Sequence, residues 1–269
     1  MVTREQERAR ARRRHDRVQA KAAEQAQRRA KQQRTVLLVS LATLALVLAA
    51  VLVLPRLAGS SDEDNVPDAA GAPTSGLHCS PAPAAQTKPK QFPAAPDPAT
   101  VKGKTLVATL TTNCGDIVIE LDGTKAPQTV ASFAFLAKQG YFDPSPCHRL
   151  TTQAIFVLQC GDPTGVGTGT PGYGFGLENV PANGQYPKGT VAMARTNDPK
   201  SNGSQFFIVY DHTALPTSGG GYSIFGTVTR GLDMVGSIAA AGSSAGADGP
   251  PKTPISILKV SVTDKKAQP

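Results

Sequence analysis

Three short stretches concentrate the side chains suited to chemistry: Cys147-His-Arg-Leu150, Phe156-Val-Leu-Gln-Cys-Gly-Asp162 and Asn202-Gly-Ser-Gln-Phe-Phe-Ile208. Between them they bring one arginine, two glutamines and several large apolar residues. A guanidinium is planar, rich in donors and always charged, so it can stabilise developing electron density but cannot shuttle protons near neutrality. Other chemistries lack their residues. There is no C-x-x-C pair and the four histidines are scattered, so nothing reads as a metal site. The glycine-rich run Gly161–Gly176 lacks the Lys-Ser/Thr ending of a phosphate loop, and its dense Gly and Pro argue against a following helix. Asp211-His212 has no G-x-S-x-G elbow to serve and reads as a loop pair. Asn202-Gly-Ser204 matches a glycosylation sequon, but it falls inside the third stretch and reads as a chance match.

Taken together, the stretches resemble the cyclophilin family of peptidyl-prolyl cis-trans isomerases. Supporting matches follow in order: Gly167-Thr168-Gly169, Glu178-Asn179, Met193-Ala194 and Phe225-Gly226-x-Val228. The resemblance spans roughly residues 104–264. It implies that Arg149 is catalytic, supported by Phe156 and Gln205, with Gln159 orienting the arginine. It also implies a proline pocket lined by Phe156, Met193, Phe207 and Leu215, with Gln205, Ala194, Arg195 and Tyr222 along the bound peptide. Phe206, beside Phe207, is sent by strand alternation to the opposite face and into the core.

The chemistry fits those residues. Rotation about an X–Pro bond breaks amide resonance against a barrier of about 18–20 kcal/mol. As the bond twists, the proline nitrogen regains a localised lone pair, and a fixed donor aimed at it favours the twisted state over the planar one. No covalent step, metal, nucleotide or other cofactor is required. The expected activity is therefore isomerisation of X–Pro bonds in polypeptides by a monomer, the alternative being a proline-peptide-binding chaperone or scaffold with incidental turnover. Four departures from the family pattern stand out. Ala214 occupies the place where many cyclophilins carry Trp, Tyr222 stands where His is common, Arg195 replaces a common Asn, and Thr151–Ile155 is longer by two residues. The missing Trp predicts weak affinity for cyclosporin-type ligands.

Positioning such a site calls for β-structure. Leu106–Leu110 and Ile117–Leu121 read as strands joined by a turn at Asn113–Asp116. Pro127 opens a helix with Val130, Phe133, Ala134 and Ala137 on one face, and Gly140 is placed to end it. Further strands are expected around Cys147–Leu150, Phe156–Gln159, Thr190–Ala194, Gln205–Val209, Ser223–Thr227 and Ile255–Val262, with a second helix over Gly231–Ala240. Eight strands and two helices predict a mainly β fold, a closed eight-stranded antiparallel barrel capped by the helices.

The net charge of +8 has one address. Residues 1–34 hold 12 Lys and Arg against 4 Asp and Glu, and the rest of the chain holds 16 of each sign. The tail is followed by 20 uncharged residues, Thr35–Leu54, long enough as a helix to cross a hydrocarbon core about 30 Å thick. An uncleaved signal anchor is expected, with cleavage after the span as the open alternative. The positive-inside rule then keeps residues 1–34 in the cytoplasm and exports the remainder, a single-pass arrangement resembling the membrane-anchored bacterial form of the family. The basic tail is thus a topology signal, and no nucleic-acid partner is expected. Residues 55–102 read as a Pro/Ala-rich tether, 103–265 as the isomerase domain and 266–269 as a short tail. All four cysteines follow the span. Antiparallel strands could set Cys147 opposite Cys160, and Cys79–Cys114 would pin the tether to the first hairpin; free buried thiols remain the other reading.

Overall fold

A computed structural model describes residues 77–265. The basic tail, the apolar span 35–54, the first part of the tether and residues 266–269 lie outside the described residues. Among the described residues no helix is long and apolar enough to cross a membrane.

The first hairpin, β1 (Thr105–Thr112) and β2 (Gly115–Asp122), alternates buried and exposed residues as its sequence does. Helix α1 (Pro127–Lys138) buries Val130, Phe133, Leu136 and Ala137, and Gly140 with φ 63° follows its end. Its N-terminus has no local side-chain cap. The Glu178 carboxylate, fifty residues on, accepts from the N–H groups of Gln128 at 3.0 Å and Thr129 at 2.8 Å, which suits the positive end of the helix dipole. The chain continues through β3 (Ser145–Pro146), β4 (Arg149–Thr151), β5 (Val157–Cys160), β6 (Gln185–Tyr186), β7 (Thr190–Met193) and β8 (Phe206–Val209). It ends with β9 (Thr213–Ala214), β10 (Ile224–Arg230), α2 (Leu232–Ala241), β11 (Asp248–Gly249) and β12 (Ser256–Asp264).

Ten strands form one antiparallel sheet in the order β11-β4-β5-β8-β7-β10-β2-β1-β12-β3, and β6 pairs with β9 separately. The expected closed barrel is corrected here. The sheet is a curled half-barrel whose end strands β11 and β3 do not pair. Both end strands are only two residues long, and β3 contains Pro146, which has no N–H to extend a ladder. The chain itself bridges the gap, since only Cys147 and His148 separate β3 at one edge from β4 near the other.

The main core lies inside the curl. Phe133 of α1 meets Phe142, Phe206 and Phe225 with ring centroids 5.3, 5.5 and 5.6 Å apart. A smaller cluster of Val157, Tyr186, Ala192, Phe207 and Val209 packs on the other side of the sheet. Alternation along β8 makes the division: Phe206 and Ile208 join the main core, while Phe207 and Val209 join the smaller cluster.

The segment expected to be tether behaves differently where it is described. Residues 77–102 run across the domain as a strap. Gln86 N–H donates to Pro163 O at 2.9 Å, Phe92 N–H to Pro171 O at 2.8 Å, and Phe92 packs edge-on to Phe135 at 4.9 Å. A Cys79–Cys114 disulfide fixes the strap to the first hairpin. Its prolines keep it extended, and Ser80, Gln86 and Phe92 donate their backbone N–H groups to carbonyls of the domain's loops.

Candidate active site

The sheet register builds the site before any side chain is considered. Arg149 lies opposite Gln159, Gln159 opposite Phe207, and Phe207 opposite Ala192 across the adjacent strands β4, β5, β8 and β7. Directly paired residues share a face, so these four stand in a row on the side away from the main core.

At one end of the row the polar groups form a chain. Arg149 Nη1 donates to Gln159 Oε1 at 3.1 Å, Gln159 Nε2 donates to Gln205 Oε1 at 3.0 Å, and Gln205 Nε2 donates to the carbonyls of Gly167 and Gly169, both at 3.0 Å. A guanidinium can only donate. Gln159 must therefore present its oxygen to Arg149 and its amide nitrogen to Gln205, which fixes the orientation of Gln205 in turn. On its other edge Arg149 makes a fork with Asp248, Nε to Oδ1 at 2.7 Å and Nη2 to Oδ2 at 2.8 Å. The loop accepting from Gln205 is itself held by the buried Asp162, which accepts from the N–H groups of Thr164 at 2.9 Å, Gly167 at 2.7 Å and Gly169 at 2.9 Å. Two glycines are required at this close approach. Gly161 has φ 90° and a Cβ there would strike Ser204 O, while a Cβ on Gly169 would strike the Asp162 carboxylate.

Beside the chain lies a groove of about 460 Å³ whose apolar lining comes from Ile155, Val157, Val166, Phe207, Leu215 and Tyr222. It adjoins a second hollow of about 240 Å³, with Gln159, Gly167, Ala194 and Arg195 common to both. A larger hollow of about 520 Å³ lies elsewhere, between α1 and β12, and contains neither the arginine nor the glutamines. Chemistry, not size, singles out the groove at Arg149.

Most of the expected site residues meet here: Arg149, Gln159, Ala194, Arg195, Phe207, Leu215 and Tyr222 all line the groove, and Gln205 lines the adjoining hollow. Two do not. Met193 is buried in the main core, because alternation on β7 gives Ala192 and Ala194, not Met193, to the groove side. Phe156 is absent from the lining and sets its ring edge-on to Tyr210 at 6.0 Å. The parity of Gln159 selects Val157 instead. Gln205 spends both amide hydrogens on the loop carbonyls. Arg195 likewise donates to Gly221 O at 2.7 Å, Gly219 O at 2.7 Å and Thr196 O at 2.9 Å, while its guanidinium sits 5.0 Å from the Tyr222 ring centre. It ties down the loop at one rim. Ala194 donates its backbone N–H to Gln205 O at 2.9 Å. Ala214 is exposed and pairs with Gln185 across β9 and β6, and the next residue, Leu215, is the one that lines the groove. The long Thr151–Ile155 segment tightens through a bond from Ile155 N–H to Gln153 O at 2.7 Å, placing Ile155 on the groove. Both expected cysteine pairs are bonded, Cys147 to Cys160 and Cys79 to Cys114.

Electrostatics keep the polar chain in one state. The Arg149 fork holds the Asp248 carboxyl below its ordinary value, and the same contact raises Arg149 further. Burial pushes His148, on the groove wall, below the ordinary imidazole value. Burial alone would raise Asp162, but the hydrogen bonds from Gly169, Thr164 and Gly167 outweigh it and lower the carboxyl.

A curled antiparallel sheet with two helices and an arginine–glutamine row defines a known class. Residues 107–262 match the family model of the cyclophilin type peptidyl-prolyl cis-trans isomerases, and the chain belongs to that family. Among curated relatives, the probable peptidyl-prolyl cis-trans isomerase B of Mycobacterium leprae is 44% identical over 202 residues, covering 68% of this chain and 65% of that one. Its counterpart in Mycobacterium tuberculosis is 41% identical over 205 residues, covering 69% and 64%. The chain thus spans about two thirds of the length of these relatives, at 65% and 64%. A cyclophilin type isomerase of Cryptosporidium parvum, crystallised in the presence of the dipeptide Ala-Pro, superposes with a TM-score of 0.51 at 29% identity, covering 59% of this chain and 99% of its own.

Proposed function

We propose that the protein is a membrane-anchored peptidyl-prolyl cis-trans isomerase that accelerates X–Pro rotation in exported polypeptides. The observation that carries the reading is a guanidinium held on two edges beside an apolar groove. Of the five N–H donors of Arg149, Asp248 and Gln159 engage three, leaving one on Nη1 and one on Nη2 for substrate. The proline ring seats against Phe207, Val157 and Leu215, and Arg149 donates to the proline nitrogen as the amide loses planarity. Gln159, itself oriented by Gln205, holds one edge of the guanidinium at Nη1. No bond is made or broken.

The apolar span 35–54 anchors the chain, with residues 1–34 on the cytoplasmic side. Two disulfides in the described residues support an oxidising, extracytoplasmic setting for the domain. There the protein works as a monomer on proline-containing chains whose spontaneous isomerisation takes tens to hundreds of seconds.

A cis/trans exchange assay on a prolyl tetrapeptide tests the reading, with the full chain in detergent and Arg149→Ala as control. Acceleration by the wild type and its loss in the variant are expected. Binding without acceleration would establish a proline-peptide-binding chaperone instead, and equal rates in both proteins would remove Arg149 from the mechanism.

A further inference from the structure

We propose that Asp248 is a positioning residue for Arg149, fixing the plane and direction of the guanidinium on the groove. The inference rests on the isomerase reading above. Asp248 comes from a loop 99 residues away from Arg149 in sequence, yet its carboxylate is placed by backbone bonds rather than by chance contact. Asp248 and Gly249 form β11 against Thr151 and Leu150 of β4. The loop is closed on both sides by Thr152 N–H to Ala247 O at 2.9 Å, Ser244 N–H to Pro250 O at 2.8 Å and Lys252 N–H to Gly242 O at 2.9 Å. The strand that carries Arg149 is thus the one that docks its partner.

The fork does what Gln159 cannot. A single bond at Nη1 leaves the guanidinium free to pivot about that contact, whereas two parallel bonds at Nε and Nη2 set both its plane and its azimuth. The side chains are 37% and 54% exposed, so the pair adds little to the stability of the fold. Its consequence is geometric. A donor whose target exists only in the twisted state is effective when it needs no reorganisation at the moment of reaction.

The test uses the full chain and separates orientation from folding. Asp248→Asn keeps the size and shape of the side chain but replaces one acceptor with an amide that points N–H groups at N–H groups. We expect Asp248→Asn and Asp248→Ala to lower kcat/KM about tenfold, carried by kcat with KM nearly unchanged, and Asp248→Glu to restore part of the loss. Melting temperatures should stay within a degree or two of wild type. Wild-type kcat in Asp248→Asn, or a loss of kcat accompanied by a matching loss of melting temperature, would overturn the proposal while leaving the isomerase reading intact. A wild type that fails to accelerate exchange would overturn that reading itself.

Discussion

The groove has two walls built on different principles. One is the polar chain from Asp248 through Arg149, Gln159 and Gln205 to the loop carbonyls of Gly167 and Gly169. Each member there has a forced orientation, because the arginine can only donate and every amide must follow. The other wall is Val157, Phe207, Leu215 and Tyr222, whose side chains meet the groove by packing rather than by hydrogen bonds. Its members have no directional demand, only volume to fill. A polar wall of this kind sets rate and adds little to stability, whereas an apolar wall sets affinity and is part of the core.

Substitutions separate the two. Arg149→Ala should lower kcat/KM by roughly 100-fold, the usual cost of removing a preorganised donor, with almost no change in melting temperature. Arg149→Lys should do little better, since one ammonium cannot reach Asp248 and Gln159 with the geometry of a planar fork. Phe207→Ala should behave the opposite way. The ring is 4% exposed and lies 5.7 Å from Tyr222 and 6.3 Å from Tyr186, so its loss should destabilise the domain by about 3 kcal/mol and raise KM more than it lowers kcat. Chemical denaturation together with a KM-against-kcat comparison checks both. Equal destabilisation by the two variants would erase the distinction between the walls.

The two walls were unequally legible in the sequence. Arg149, Gln159 and Gln205 sit inside the three short stretches that carry the family resemblance, and that resemblance implies their roles. For the apolar wall the same resemblance points to Phe156 and Met193, where strand parity delivers Val157 and Ala194. The signal for Val157 was present, as it lies two residues before Gln159 on the same strand. Asp248 had no local signal at all. It lies in a loop of small residues, and only the pairing of β11 with β4 brings it to the arginine. The strap failed for a related reason. Proline-rich composition shows that residues 77–102 cannot fold alone, but not that carbonyls of Pro163 and Pro171 await them. The eight expected strands and two helices lie within a few residues of observed elements, but the two-residue strands β3, β6, β9 and β11 leave no periodicity to read, and β3 and β11 are the ends at which the sheet stays open.

A smaller effect is expected from the covalent tie between the walls' supporting strands. The Cys147–Cys160 bond closes a separation of 13 residues and flanks both polar residues, one step before His148-Arg149 and one step after Gln159. Replacing both cysteines with serine should cost about 3 kcal/mol through the chain entropy of a loop of that size. Activity should fall only a few-fold at temperatures where the domain stays folded, because the ladder from Arg149 to Gln159 persists without the bond. Breaking Cys79–Cys114 instead should free the strap and leave kcat nearer to wild type. A larger loss of kcat from the second pair would mean that the strap, not the bridge beside Arg149, stiffens the polar wall.

The smallest effect should be that of pH on rate. Arg149 is raised by Asp248 and Asp248 is lowered by Arg149, so this pair keeps its charges between about pH 6 and 8. Turnover on a prolyl peptide should be flat across that range, and a steep slope would mean that a different group performs the reaction. Stability should tell another story below it. His148 has a folded value under its ordinary 6.5, so its contribution is fully present above 6.5 and is lost as pH falls toward the folded value. Asp248 and Asp162, both depressed, keep their contributions above 3.8 and lose them on further acidification. Asp143, raised by burial, works in the opposite sense and offsets part of the loss. Thermal melts at pH 7, 5 and 3 should therefore show falling stability, from His148 in the first interval and from Asp248 and Asp162 below 3.8, while the rate at 10 °C changes little from pH 8 to 6. A rate that declined in step with the melts would place the titrating group in the polar wall after all, and His148, the imidazole adjoining Arg149, would be the residue to replace first.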